Sequence, residues 1–524
     1  MTGEKDNTRK TPEQSERLTR RSLLKAAAGS VILTATDALA EVVFADPTVS
    51  PERQSRDEAL DIVVVGSGFA GLAAAAEAAD RGMKVVVLEK MARFGGNSLI
   101  SHGEYAAWNN PYKLREKRNL GPDSVDMHAE DTLRAGRNKG RPELVRLFVR
   151  QAPSALKWLI EAGGVKIREQ VTSAPGHSAP RIHTAIDGTG ALFLSGLRKI
   201  AEQNGARLRL NAQVTAIRRS GPSGPVTGVE VQHGKSRINL FIRQALILAS
   251  GGFSSDLAMR QAFNPQFGPE YLTTNHSGAT GEVLRHARAI GAAVTQMDLM
   301  QVYPFADPAT GRFDTPSVFA LRGPEVGMIY VDAAGRRFVD ETVNTLACSR
   351  AQILVGTDRR VTYALFNGAM ISRLGTNMEV EKGVKEGRFY YGATLTELAR
   401  RLHAPPETLI RTVFDHNGYI REGHDPDYQK QGLQMMIPLE HGPFFALPQW
   451  PAVHQTLGGL RINSRAQVLD ARGVPIPRLY AAGEVTGAIH GTNRLAGNSI
   501  PECLVFGRIA GINAAEEKLI FRPG

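Results

Sequence analysis

The chain has 524 residues, 42% hydrophobic and 22% charged, enough to bury a large core and too long for one compact lobe, so two domains are expected. Its formal charge of +11 is spread along the chain with no nucleic-acid motif beside it, which sets a nucleic-acid partner aside and leaves general solubility, or a basic field that draws anionic substrates. Two cysteines, Cys348 and Cys503, are too few for a disulfide framework and form no CxxC or CxxCH pair, so covalent c-type haem is excluded; both are expected as helical thiols, with one bridge open in an oxidising compartment.

After a polar start, Thr19-Arg20-Arg21-Ser22-Leu23-Leu24-Lys25 leads into a weakly apolar run that ends at Ala38-Leu39-Ala40. Paired arginines, a modest apolar stretch and an A-x-A cleavage site are the parts of a twin-arginine signal. Residues 1–40 are therefore expected to direct export to the periplasm, or otherwise out of the cytoplasm, and then be removed. That route carries folded proteins, typically those that first take up a cofactor. Nothing later offers about 18 continuous apolar residues, so no stable membrane insertion is expected after signal removal.

Asp61-Ile62-Val63-Val64-Val65 reads as a buried parallel strand, and Gly66-Ser67-Gly68-Phe69-Ala70-Gly71 follows it directly into an Ala-rich helix. The first glycine permits the tight turn, the second lets backbone approach a pyrophosphate, and the third lets helix pack on strand. A second strand, Lys84–Leu88, ends in Glu89, where an acid can accept hydrogen bonds from an adenosine ribose. Strand, turn, helix, strand and acid together predict dinucleotide binding, with the helix N-terminus facing the phosphates.

The loop after Glu89 separates FAD from NAD. Lys90-Met91-Ala92-Arg93-Phe94-Gly95-Gly96-Asn97-Ser98 resembles the GGNS-type loop of the succinate dehydrogenase and fumarate reductase flavoprotein superfamily. The resemblance implies that Lys90, Gly96, Asn97, Ser98 and nearby Gly103 serve the flavin. Leu246–Phe253, a buried strand ending in Gly251-Gly252, resembles the family's second FAD contact, and Val214, taken as the end of the strand after Arg207–Leu210, stands where such proteins hold the adenine.

The segment from Leu479 to Ile500, LYAAGEVTGAIHGTNRLAGNSI, is similar to the closing signature of the soluble fumarate reductases. That likeness implies that Glu484 serves the ribityl region and that Asn498, Ser499 and Ile500 open a helix toward the flavin. It also implies that Arg494 clamps a substrate carboxylate, a task suited to the fixed guanidinium fork. Pro451–Gly459 resembles the family's H-x-T-M-G-G, which makes His454 a second anion contact.

The middle is thinner. Thr274–Glu282 matches the family's loop-to-helix entry; Tyr303 replaces the usual histidine of an H-P pair, as in the urocanate reductases, and Phe319 replaces a carboxylate before Arg322-Gly323. Direct register from Arg337-Phe338-Val339-Asp340-Glu341 puts Thr345 where the family has a proton-donating arginine, and the nearest arginine is Arg350. Three routes stay open: Arg350 enters the site, Tyr303 gives the proton, or the reaction is not fumarate-type reduction.

The expected fold is α/β, a Rossmann-like FAD-binding domain at 58–295 and 446–524 with an inserted α+β clamp domain at 296–445. The expected chemistry passes hydride between FAD N5 and the C=C or CH–CH of a carboxylate-bearing substrate, with Arg494, His454, Tyr303 and Arg350 as the catalytic set and no metal. Alternatives are an FAD-dependent dehydrogenase of a saturated acid or cyclic ketone, a flavin-binding redox or carrier protein, and, less favoured by the flavin-loop match, a nicotinamide enzyme. Without haem or iron–sulfur motifs, an external carrier, a cytochrome, quinol-linked protein or other, must exchange electrons with the FAD. Asp187–Ala191 is taken as a substrate-side loop.

Overall fold

A computed structural model describes residues 58–313, 317–356 and 360–517. The twin-arginine segment lies outside the described residues.

The strand Glu58–Val65 is the centre of the molecule. Its β-branched run is buried on both faces, as a parallel strand covered by helices requires. Val85–Leu88 pairs with it in parallel on one side and Ala245–Leu248 on the other, and the sheet continues to Arg207–Arg209 and to Pro475–Ala481. Ala212–Arg219 and Val226–His233 extend it as an antiparallel flap on Ser236–Leu248. The helices Phe69–Asp80 and Ser499–Ala515 pack against each other beside the sheet.

The turn after the first strand is dictated by space. Gly66 has φ +104°, and a Cβ there would lie 2.2 Å from the Ala249 carbonyl oxygen; a Cβ on Gly71 would lie 1.9 Å from Gly66 O. Backbone, not side chain, therefore faces the space above the turn.

A second lobe is built on an antiparallel sheet of Met300–Ala306, Ile329–Val331, Thr362–Asn367, Tyr390–Gly392 and Phe444–Thr456. It has its own aromatic core, in which Phe366 stacks on Phe445 at 5.6 Å and Phe319 meets Phe366 at 5.1 Å. Phe444–Thr456 runs across the expected junction at 445/446: its first half pairs with Thr362–Asn367 and its second with Met300–Ala306. The strand thus carries His454 from the second lobe to the nucleotide side.

Two expectations from the sequence are corrected by the fold, and one is met. Val214 is the third residue of a separate strand, Ala212–Arg219, because Asn211 turns the chain with φ 52°. Phe319 is buried in the core of the second lobe instead of facing substrate. Cys348 and Cys503 sit in the helices Thr345–Val355 and Ser499–Ala515 as free thiols.

Candidate active site

One cavity of about 2100 Å³ joins the sheet's carboxyl end to the second lobe. A pocket for one small ligand holds roughly 300–1,000 Å³, so there is room for a dinucleotide and a second molecule.

At one end lie Gly66, Gly68, Ala70, Glu89, Lys90, Gly96, Asn97, Ser98, Val214 and Gly251. The helix Phe69–Asp80 starts here with no acid in its first turn; Phe69 N donates to Ser98 Oγ at 2.9 Å, and the N–H groups that follow are left to an anion. Ser250 Oγ, which lines the same space, is buried without a partner among the described residues. Glu89 accepts from Ser67 Oγ at 2.6 Å and from Met91 N at 2.9 Å. Lys90 Nζ donates to Thr280 Oγ1 at 2.7 Å and pairs with Glu282 at 2.5 Å, which ties the loop to the helix Glu282–Ala289.

Further in, Asn97 bonds Asn275, and Asn97 Oδ1 accepts from His276 N at 2.8 Å. Asn275 in turn donates to the His454 carbonyl at 2.6 Å, while the Thr274 hydroxyl shares a 2.7 Å hydrogen bond with His454 Nδ1. The GGNS loop, the 274–276 loop and His454 are thus one connected unit. Glu484 Oε1 accepts from Thr456 N at 3.0 Å and Thr456 Oγ1 at 3.1 Å, and burial raises its pKa.

Arg494, His454, Tyr303 and Arg350 all line this cavity, as does Thr345. Arg494 is half-buried; its Nε donates to Gln455 Oε1 at 2.7 Å and its NH1 to Leu495 O at 3.2 Å. Burial, with the Arg494 charge and His102 beside it, lowers the His454 pKa to about 3, so the ring is neutral at ordinary pH. Tyr303 stands against His454 at 5.0 Å, Phe305 at 5.2 Å and Phe313 at 4.6 Å, and Phe313 meets His102 at 4.7 Å, forming an aromatic wall. Arg350 is exposed at the rim, on the helix Thr345–Val355.

Four expected contacts lie behind the lining. Asn498 is fully buried, with its amide on Thr132 Oγ1 at 2.8 Å and its carbonyl oxygen on His128 Nε2 at 2.8 Å, so it anchors the loop that Ser499 and Ile500 present to the cavity. Gly71 serves helix packing, and Gly103 is a turn with φ +64° whose Cβ would lie 2.4 Å from Thr189 O. Asp187–Ala191 packs outside, where Gly190 N donates to Ser101 O at 2.7 Å. Sequence reasoning missed Gln455, Gln301, Thr274 and Glu104. Gln455 follows His454 directly, and Gln301 is two residues from Tyr303; their adjacency was the available signal.

A glycine-turn cradle that shares one cavity with Arg494 and His454 is the layout of a flavin-dependent oxidoreductase. The family described as "FAD binding domain" matches residues 61–500, and the chain belongs to it, with FAD as its cofactor. It is 36% identical over 472 residues to the urocanate reductase of Eggerthella lenta, covering 89% of this chain and 76% of that protein. It is 33% identical over 459 residues to the NADH:fumarate oxidoreductase of Klebsiella pneumoniae (strain 342), covering 87% of this chain but only 48% of that protein, so it spans about half that relative's length. The open conformation of a flavocytochrome c3 fumarate reductase superposes with a TM-score of 0.75 at 27% identity, over 97% of this chain and 83% of that one.

Proposed function

We propose that this chain reduces the carbon–carbon double bond of an α,β-unsaturated carboxylate. The observation that carries this reading is that Arg494, oriented by Gln455, and neutral His454, oriented by Thr274, open into the same cavity as the dinucleotide cradle. The Arg494 fork pairs with the two oxygens of a carboxylate, and His454 adds a neutral hydrogen bond. Together they favour the negative charge that develops toward the carboxylate as the alkene is reduced. FAD, when bound, supplies the electron pair and the hydrogen that goes with it. The reductase names of the relatives support this class of reaction.

The wall of Tyr303, Phe305 and Phe313 favours an aryl or heteroaryl enoate over fumarate, which has a second carboxylate to satisfy. The segment 296–445 is the cover that excludes water from the site. Electrons come from an external carrier, a cytochrome or quinol-linked protein, and the N-terminal Arg20-Arg21 pattern supports export through the twin-arginine route. Among the described residues no helix is long and apolar enough to cross a membrane.

The test is anaerobic reduction of the purified flavoprotein, followed by mixing with fumarate, urocanate, cinnamate and acrylate. Rapid reoxidation by one of them is expected. Failure of all four, with bleaching of the oxidised flavin by a saturated acid or a cyclic ketone, would reassign the protein as a dehydrogenase.

A further inference from the structure

We propose that Glu104 is the acid that gives the proton in the double-bond reduction, an inference that rests on the reductase reading above. Saturating an alkene needs one proton from the protein, and the cavity lining limits which group can give it. Glu104 opens the strand Glu104–Ala106, whose backbone pairs with Ile182–Ala185; it lines the cavity, and its carboxyl has no hydrogen-bond or ion-pair partner among the described residues. The other lining carboxyls differ: Glu89 is bonded to Ser67, Glu282 to Lys90, Glu341 to Arg337 and Lys430, and Glu484 to Thr456, while Glu325 is exposed and paired with Arg322. Glu104 feels the charge of Arg494 yet makes no salt bridge with it, and both line the cavity in which a substrate carboxylate would lie on Arg494.

Protonation states support the same residue. Burial raises the Glu104 carboxyl to about 7 despite Arg494, so a large share of it is protonated at neutral pH and can release the proton. Around it, burial and the neighbouring Glu104 charge push Tyr303 far above the usual phenol range, and burial pushes the Cys503 thiol up, so neither is a ready acid. Burial lowers His102 and His454, which are neutral. Arg494 is engaged by Gln455 and Leu495, and Arg350 is exposed at the rim.

Atoms and electrons balance in this step. The π bond breaks; one alkene carbon takes a hydrogen with its electron pair from reduced FAD, and the other takes the Glu104 proton. The O–H electron pair stays on Glu104, which is left as a carboxylate and recovers a proton from water.

The test uses the holoenzyme and its Glu104→Gln and Glu104→Asp variants, reduced anaerobically and mixed with fumarate, urocanate or cinnamate. Glu104→Gln is expected to slow reoxidation about 100- to 10,000-fold. Flavin content, and binding of the matching saturated acid to the oxidised protein, should change less than about threefold. The wild-type rate falls as pH rises through about 7; that limb is absent from Glu104→Gln and retained, at a lower rate, by Glu104→Asp. Infrared difference spectra give an independent readout, a carboxyl C=O band that titrates near neutrality in wild type and is missing from Glu104→Gln. A Glu104→Gln enzyme within about threefold of wild type, or an unchanged pH limb, overturns the inference alone. A wild type that none of fumarate, urocanate, cinnamate and acrylate reoxidises sinks the reductase reading and the inference together.

Discussion

Gln455 Oε1 accepts a 2.7 Å hydrogen bond from Arg494 Nε, and Gln301, the residue opposite Gln455 across the sheet, donates to the Arg494 carbonyl at 3.1 Å. Two glutamines on neighbouring strands thus hold the guanidinium and the backbone of one arginine. Gln301 also donates to Asn493 Oδ1 at 2.9 Å, so the loop cannot swing without breaking both contacts. Hydrogen bonds to a charged group contribute about 1.5–3 kcal/mol. Gln455→Ala should therefore raise the KM for the enoate by roughly 10- to 100-fold. Flavin content should be unchanged, which an absorbance spectrum and steady-state kinetics would check together.

His454 is expected to stay neutral across the working range, because its pKa is lowered to about 3 by burial and then by Arg494. Binding of the saturated acid to oxidised Glu104→Gln, followed by the flavin spectrum, should show no ionisation near 6.5, the ordinary imidazole value. An ionisation there would mean that the ring is protonated and acts as a second cation. Thr274→Val, which removes the hydroxyl on Nδ1, should weaken binding by about fivefold.

Glu341 lies between Arg337 at 2.9 Å and Lys430 at 2.9 Å, all fully or nearly fully buried. Burial alone would raise its pKa, but Lys430 and Arg337 outweigh it and leave a value of about 2 against an ordinary 4.5. A depressed acid stabilises the fold above its unfolded pKa, and that contribution is lost as pH falls from about 4.5 toward 2. Glu341→Gln strands the buried Lys430 and leaves Arg337 with Asp425 alone, and should cost about 3–5 kcal/mol, measurable by urea denaturation at pH 7.

Glu502 has the opposite sign. Burial raises its carboxyl to about 8, with Glu484 nearby adding to the effect, so the folded chain keeps a proton that the unfolded chain loses above 4.5. Stability from this group is greatest at low pH and declines as pH rises from about 4.5 to 8. Glu502→Gln removes that decline: its Tm should exceed wild type at pH 8 and match it near pH 4. Equal Tm values at both would show that the wild-type carboxyl titrates normally.

Elements whose causes are local were legible in the chain. Val63-Val64-Val65 followed by Gly66 and Gly68 admits few structures, since β-branched residues suit a buried strand and only glycine fits where Ala249 O leaves 2.2 Å. The family motifs likewise led to Arg494, His454 and the GGNS loop, all of which line the cavity.

Side-chain direction was not legible, because it depends on packing between segments far apart in sequence. Asn498 was expected at the flavin, but His128 and Thr132, some 370 positions earlier, draw its amide inward. Phe319 belongs to the core because Phe366 and Phe389 fill the space around it. Glu104 carries no motif; what distinguishes it is that no partner reaches it among the described residues while Arg494 and Tyr303 do come near. The sequence by itself determined the cofactor cradle, because glycine sterics and hydrophobic periodicity act within a few residues, and its likeness to the family pointed to Arg494 and His454. Only the tertiary structure decided which carboxyl stands unpaired beside Arg494, because burial and long-range register set both its exposure and its charge.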